Sequence, residues 1–204
     1  MGASDEPRTR LPPGSQHRLR RLLMRLGLVA LPVWLCSSAA RGAERPRWEQ
    51  VKADVRARHP HVLQLSVSAL SAWLQDAQRV PPLLLDTRSR DEFAVSHLED
   101  AHLALSLDEA LSVLARHPQS RQVVLYCSVG ARSSAMAEQL NAELLRRRGA
   151  ASAPPRVFNL EGSLFEWANA GLPLRDEFGP TTRVHHFNTH WGTLLNGPRV
   201  DAPR

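Results

Sequence analysis

Short, continuous apolar runs separated by segments with helical spacing set the fold class of this 204-residue chain. The runs cover residues 62–65, 83–85, 103–105, 123–126 and 157–160. They lack the period-2 alternation of strands with one solvated face, as expected for parallel strands buried on both faces. The alternation of strands with helices predicts a single α/β domain with a central parallel five-stranded sheet, helices on both faces and right-handed crossovers.

Helix start signals lie at the boundaries that this pattern requires. Ser66 precedes a segment with helical apolar spacing and is a candidate N-cap. The S-x-x-E pattern of a capping box occurs three times, as Ser89 with Glu92, Ser106 with Glu109, and Ser163 with Glu166. A longer helix is predicted from about Arg132 to Arg147, with Leu140 on its core face and Gly149 as its stop.

The positive charge of the chain is concentrated at its amino terminus. Residues 1–43 carry seven Arg and two acidic residues, whereas residues 44–204 carry 19 basic and 18 acidic residues. The later part of the chain is therefore almost neutral, and it has no basic stripe with interleaved aromatic residues. This distribution argues against nucleic acid as a partner.

The basic amino terminus has the layout of a secretory signal peptide. A cluster of Arg18, Arg20, Arg21 and Arg25 precedes the eleven-residue apolar run 26–36, and the residues that follow it at positions 37–40 and 42–43 are small. That run is shorter than the roughly 20 residues of a membrane span. We therefore expect a periplasmic or secreted protein without stable membrane insertion after removal of the leader. A mitochondrial transit peptide and an uncleaved amphipathic helix are the alternatives. Arg20-Arg21 is weak evidence for the twin-arginine route, and Met24 is an alternative start.

The sequence after this leader divides into three parts. Residues 44–60 are polar and Arg-rich and are predicted to be a loose lead-in, residues 61–175 are the domain, and residues 176–204 are a carboxyl-terminal tail. Within the tail His186 and His190 have helical i, i+4 spacing, but nearby Pro180 argues against a rigid helix there. We therefore predict no metal site and expect the tail to pack against the domain.

Cys127 is the candidate nucleophile. Removal of the leader also removes Cys36, so Cys127 is then the last thiol and no intramolecular disulfide is possible. It directly follows the predicted strand 123–126, and a short loop leads from it into the long helix. Backbone N–H groups, the positive helix end and the guanidinium of Arg132 are expected to favour the thiolate. The alternative is an inert cysteine in the core.

The length of this loop distinguishes between chemistries. Cysteine-dependent phosphatases place Arg six positions after Cys, which makes a ring wide enough for a tetrahedral phosphate. Here Arg132 is at the fifth position and Ser133 at the sixth. The tighter ring suits a terminal sulfur on Cys127 better than a phosphoryl group, and it disfavours a phosphatase or arsenate reductase.

Four segments in order resemble a single rhodanese domain, a sulfurtransferase module, over residues 62–173. They are Asp86-Thr87-Arg88 with Glu92-Phe93; Ser96-His97-Leu98 with Ala101; Cys127-Ser128-Val129-Gly130-Ala131-Arg132-Ser133; and Leu160-Glu161-Gly162-Ser163 with Trp167, Gly171 and Pro173. The chain departs from the family pattern at Ser96 and Ser163, where glycine is usual. Ser128 is uncharged where many thiosulfate-using relatives have a basic side chain, which argues against thiosulfate as the donor.

The resemblance implies a rhodanese-type sulfurtransferase with a ping-pong mechanism. Cys127 takes sulfane sulfur from a donor as a persulfide and passes it to a thiophilic acceptor, without a metal or organic cofactor. Its partners are then small sulfur-containing anions or thiols, or a protein sulfur acceptor. The binding residues it implies are Ser128, Val129, Gly130, Ala131 and Arg132. Asp86 and Arg88 either border the same mouth or form a structural ion pair. A sulfur-relay or protein-binding module without enzymatic activity is the alternative function.

Overall fold

The computed structural model describes residues 47–147, 153–197 and 199–200. The leader and the helix stop at Gly149 lie outside these residues. The helices are α1 (residues 47–58), α2 (Val67–Gln75), α3 (Arg90–Val95), α4 (Leu107–Arg116), α5 (Ala131–Arg146), α6 (Ser163–Asn169) and α7 (Thr189–Gly192). The strands are β1 (Leu63–Leu65), β2 (Leu83–Asp86), β3 (His102–Leu103), β4 (Gln122–Tyr126), β5 (Arg156–Leu160), β6 (Leu174–Asp176), β7 (Gly179–Thr181), β8 (Val184–His185) and β9 (Arg199–Val200).

The first five strands form one parallel sheet in the order β1-β5-β4-β2-β3. Every neighbouring pair is parallel, with Leu85 opposite Leu125 and Val124 opposite Phe158 in the register. The predicted α/β fold with a central five-stranded parallel sheet is thus confirmed. Strand β4, which leads to Cys127, lies in the middle of the sheet, so its carboxyl end is enclosed by neighbours on both sides.

Apolar side chains alternate between the two faces of this sheet. On one face, Leu83 and Leu85 of β2 belong to a cluster with α4 and α5, including Val113 and Leu140. On the other face, strand residues such as Leu84 pack with α2, α6 and the carboxyl-terminal segment; this cluster, here called the α6-side cluster, contains Val67, Leu70, Leu98, Tyr126, Val129, Phe165, Trp167, Val184, Leu194 and Leu195. Helices therefore cover both faces, as predicted.

The prediction of a loose lead-in at residues 44–60 is wrong for its described part. Residues 47–58 form α1. Its residues Trp48 and Val51 pack against the α6-side cluster, and Val55 is buried. This i, i+3, i+7 apolar stripe is a helical face, which the many charged residues around it obscure in the sequence. Lys52 also pairs with Glu166 at 2.7 Å.

The carboxyl-terminal segment packs on the domain, as expected. Strands β6 and β7 form an antiparallel hairpin, which the backbone of Arg175 joins to His97. Beyond it, Val184 and Leu194 are buried in the α6-side cluster. No group of three or more potential metal ligands occurs within the described part of the chain. Across the same residues, no helix has the length and apolarity needed to cross a membrane.

The helix starts follow the predicted signals only in part. The side chains of Ser66, Ser89 and Ser106 each accept the backbone N–H three residues on. At Ser89 the carboxylate of Glu92 completes the capping box. The carboxylate of Glu109 instead accepts the N–H of the residue before the cap, so that box is not reciprocal. The prediction for Ser163 is wrong, since its side chain makes other bonds that are described with the site.

Candidate active site

The turn after β4 brings backbone N–H groups to the Cys127 sulfur. The N–H of Gly130 donates to the Sγ atom at 3.1 Å. Gly130 has φ +100°, a left-handed conformation that favours glycine, and a Cβ added there would lie 3.3 Å from the side-chain nitrogen of Asn159. Helix α5 begins at the next residue, Ala131. The loop is therefore wound tightly around the sulfur, at the positive end of a helix dipole.

The Cys127 side chain is nearly enclosed, with 1% of the residue exposed. Burial by itself raises the pKa of a thiol, because it disfavours the charged form. Here the positive charge of Arg132 and hydrogen bonds from Ser133 and Gly130 outweigh burial, and the pKa of Cys127 is lowered. A thiolate held by N–H groups and a guanidinium is the reactive form of cysteine.

Arg132 is fixed beside the loop by Glu92. Its Nη1 and Nη2 atoms donate to the two carboxylate oxygens at 2.9 and 2.7 Å, and Nη2 also donates to the Ser128 hydroxyl at 2.9 Å. The Ser128 hydroxyl in turn donates to Glu92 at 3.0 Å. Burial raises the pKa of Glu92, but the bonds from Arg132 and the Ser89 N–H prevail and lower it to about 2. Glu92 is therefore an anion at every physiological pH.

A buried polar chain supports the first turn of α5 from the sheet. The Ser133 hydroxyl donates to the Asn159 side-chain oxygen at 2.6 Å, and the Asn159 amide donates to Gln64 at 2.7 Å. Ser133 and Asn159 are completely buried. Buried polar groups need such partners, so this chain fixes the orientation of the residue that also bonds the sulfur. The sixth loop position thus carries a positioning hydroxyl where a phosphatase has Arg.

The start of α6 holds the backbone of the loop. The Cys127 N–H donates to the Ser163 hydroxyl at 3.1 Å, and that hydroxyl donates to the Leu160 carbonyl at 2.9 Å. The N–H groups of Leu164 and Phe165 donate to the carbonyls of residues 127 and 128. Ser163 is inside α6, behind the N-cap Gly162, which is why it cannot form the predicted capping box.

Comparison with known proteins identifies the family to which the sequence around this site belongs. The sequence profile of the rhodanese-like domain matches residues 66–170, just over half of the chain, and the match includes the whole Cys127 loop. The chain belongs to the rhodanese-like domain family.

One relative and two solved structures illustrate the likeness. A protein of Allochromatium vinosum named sulfurtransferase is 34% identical over 113 residues, which are 55% of this chain and 94% of that protein. The polysulfide-sulfur transferase homodimer of Wolinella succinogenes is 22% identical, with TM-score 0.44, over 63% of this chain and 89% of that one. Thiosulfate sulfurtransferase of Pseudomonas aeruginosa is 20% identical, with TM-score 0.46, over 74% and 26%. The family match and the relative at 34% identity show that this protein carries a rhodanese-like sulfurtransferase domain.

Asp86 and Arg88 do not border the mouth of this rhodanese-like site. Both side chains are completely buried, and the guanidinium donates to the carboxylate at 2.7 to 3.1 Å and to the Ser96 carbonyl at 2.5 Å. A group with no exposed surface cannot contact an incoming substrate without rearrangement. The prediction that Asp86 and Arg88 bind substrate is therefore corrected. They form a structural ion pair, which is the alternative that the sequence left open.

The structure brings the predicted loop residues together: the Gly130 N–H bonds the Cys127 sulfur, and the side chains of Arg132 and Ser128 bond each other and Glu92. Val129 points elsewhere, into the α6-side cluster, and so serves packing. Four further residues support the rhodanese-like site although they were not predicted as site residues, namely Glu92, Ser133, Asn159 and Ser163. Glu92 belongs to the Glu92-Phe93 motif and Ser163 stands where the family usually has glycine, and both positions were signals that could have marked them.

Proposed function

We propose that this protein is a rhodanese-type sulfurtransferase that carries sulfane sulfur as a persulfide on Cys127. The observation that carries the proposal is the Gly130 N–H directed at the Cys127 sulfur at 3.1 Å, next to the charge of Arg132. Donors fixed in place before the reaction stabilise an anionic sulfur without the cost of reorientation. The relative named sulfurtransferase supports the same reaction class.

The transfer takes two displacement steps. In the first, the Cys127 thiolate attacks the outer sulfur of a donor such as a thiosulfate-like anion or a persulfide; a new S–S bond forms, and the leaving group departs with the electron pair of the broken S–S bond. In the second, a thiophilic acceptor attacks the outer persulfide sulfur, and the Cys127 thiolate leaves. With cyanide the product is thiocyanate. Neither step needs an oxidant or a cofactor.

The loop residues have separate tasks in this proposal. The N–H of Gly130 and the helix end hold the anionic sulfur, while Arg132 supplies positive charge and Glu92 keeps that charge in place. The Ser128 hydroxyl is already engaged with Glu92 and Arg132. It therefore supports the loop and adds no positive charge for a dianion, which favours donors other than thiosulfate.

We further propose that the protein acts after export, once the basic leader is removed. The donor then meets a mature chain whose thiol is Cys127. Its acceptor is a small thiol or a thiol on a partner protein. Recovery of the protein in the exported fraction tests the compartment. The mass of the recovered protein identifies the cleavage point.

Intact mass spectrometry tests the function directly. Mature protein is incubated with thiosulfate, mercaptopyruvate or polysulfide, beside a Cys127→Ser variant. A gain of one sulfur that cyanide removes, absent in the variant, is expected. If no donor adds sulfur to the folded wild-type protein, the free-substrate enzyme is excluded, and the relay or binding module replaces it.

A further inference from the structure

The Arg132 guanidinium lies over the ring of Phe187. Glu92 and Ser128 bond the edge of that planar group, which leaves its faces open. The Phe187 ring centroid lies 4.6 Å from the Arg132 Cζ atom, within cation–π range. The Arg132 side chain is 37% exposed, and Phe187 is 43% exposed. The ring therefore shares the solvent-facing surface of the positive group that neighbours Cys127.

The polypeptide around Phe187 holds the ring in this place. Phe187 has φ +62°, which is rare for an aromatic residue, and its N–H donates to the His185 Nδ1 atom at 3.0 Å. Asn188 next to it caps α7 by accepting the Trp191 N–H at 2.9 Å. The carbonyl of buried Leu194 accepts the side-chain amide of Asn169 in α6 at 2.7 Å. The ring thus projects from a bonded turn.

This turn lies outside the residues that match the family. The match ends at position 170, whereas the ring belongs to the carboxyl-terminal segment. Strand β8 of that segment lies against α3, the helix that carries Glu92. Val184 of β8 shares the α6-side cluster with Val129 of the loop. The Phe187 ring therefore reaches the loop from a segment that the family match does not cover.

We propose that Phe187 determines the donor specificity of the Cys127 site, an inference that rests on the sulfurtransferase function proposed above. A small inorganic dianion gains the most electrostatic binding free energy from a guanidinium that is exposed only to water. The Phe187 ring lies against the guanidinium and replaces part of its hydration with apolar surface. The site accordingly favours sulfur donors that carry one negative charge and an aryl or alkyl group over inorganic dianions.

An aryl thiosulfonate and thiosulfate are the paired probes, since both deliver their outer sulfur by the same step. The Cys127 thiolate forms an S–S bond to that sulfur, and the bond to the oxidised sulfur breaks. The electron pair leaves on benzenesulfinate from benzenethiosulfonate, and on sulfite from thiosulfate. The two donors thus differ in charge and in the aryl group, while the persulfide product is identical.

The first test measures the rate of Cys127 persulfide formation by mass spectrometry with each donor. We expect Phe187→Ala to lower the ratio of the benzenethiosulfonate rate to the thiosulfate rate by about threefold, the factor that corresponds to an exposed cation–π contact. The matched control is Phe178→Ala, which removes a 75% exposed ring from the β6–β7 hairpin and should leave the ratio unchanged. An unchanged ratio in Phe187→Ala overturns the proposal.

A second test needs no sulfur transfer. Cys127 is alkylated with anionic iodoacetate and with neutral iodoacetamide, and the product is located by peptide mass. Removal of the ring should raise the ratio of the iodoacetate rate to the iodoacetamide rate by about threefold, because the carboxylate reaches an uncovered guanidinium. If this ratio rises although no donor loads, the sulfurtransferase function fails while selection by Phe187 stands. If donors load and either ratio stays constant, the specificity role of Phe187 is overturned.

Discussion

The hydroxyl of Ser163 accepts the backbone N–H of Cys127 at 3.1 Å, although 36 positions separate the two residues. This bond fixes the peptide plane from which the reactive loop starts. Ser163→Ala would leave a buried N–H without its partner, which costs about 1 to 3 kcal/mol. We expect lower stability together with slower persulfide formation. Chemical denaturation and loading rates measure the two effects.

Ser112→Ala is the matched control for that substitution. The Ser112 hydroxyl donates only to the exposed carbonyl of Asp108 in its own helix. Its removal should change neither stability nor loading. Equal behaviour of the two variants would contradict a supporting role for Ser163.

Arg132 is expected to set the reactivity of Cys127. Its charge is the largest of the influences that lower the thiol pKa, so Arg132→Ala should raise that pKa. The pH profile of iodoacetamide alkylation then moves to higher pH, and the rate at pH 7 falls. Arg146→Ala, at the far end of the same helix, is the control and should keep the wild-type profile. A wild-type profile for Arg132→Ala would refute this electrostatic role.

Glu92 is expected to stabilise the fold above acidic pH. Glu92→Gln removes the charge that holds Arg132 and should cost about 2 kcal/mol near pH 7, discounted because the arginine is part-exposed. That loss lowers the melting temperature by roughly 4 to 8 °C. Glu143→Gln, which breaks an exposed pair with Arg146, should leave the melting temperature unchanged.

The Glu92 contribution has a defined pH window. Its pKa in the folded protein is about 2, below the ordinary 4.5 of the unfolded chain, so the stabilisation is complete above the unfolded value and is lost as the pH falls towards 2. Melting curves of wild type and Glu92→Gln should therefore converge between about pH 5 and pH 2. A gap that persists at pH 2 would exclude the carboxylate charge as its source.

The Asp86–Arg88 pair should affect stability and leave donor loading unchanged. Asp86→Asn strands a buried guanidinium and is expected to cost about 3 to 5 kcal/mol. Replacing both residues, as in Asp86→Leu with Arg88→Met, removes both charges and should recover part of that loss. Thermal unfolding compares the variants, and mass spectrometry follows loading of the folded protein. A loading defect in the stable double variant would restore a substrate-binding role.

The sheet and the Cys127 loop could be predicted because their signals are local. Five apolar runs and one six-residue loop are contiguous in sequence, and local periodicity reports them. The partner of Arg132 could not be predicted in this way, since Glu92 lies 40 residues earlier and meets it only in the folded chain. Charged residues usually lie on the surface. The burial of Asp86 and Arg88 depends on their pairing with each other, so composition does not predict it.

The predicted lead-in failed for a related reason. The apolar stripe of Trp48, Val51 and Val55 is narrow and is interrupted by charged residues. Contact with the α6-side cluster stabilises this segment as a helix. Packing, more than intrinsic propensity, stabilises a short helix of this kind.

Helix α1 precedes the matched residues 66–170 and the carboxyl-terminal segment follows them, yet both cover the same side of the sheet. The autonomous folding unit is consequently longer than residues 66–170. Truncation to those residues would remove α1 and the carboxyl-terminal segment and expose the apolar side chains of the α6-side cluster to water. Such an apolar patch promotes self-association. A recombinant form of the domain, or a fusion that carries the Cys127 loop into another protein, should therefore retain both α1 and the carboxyl-terminal segment.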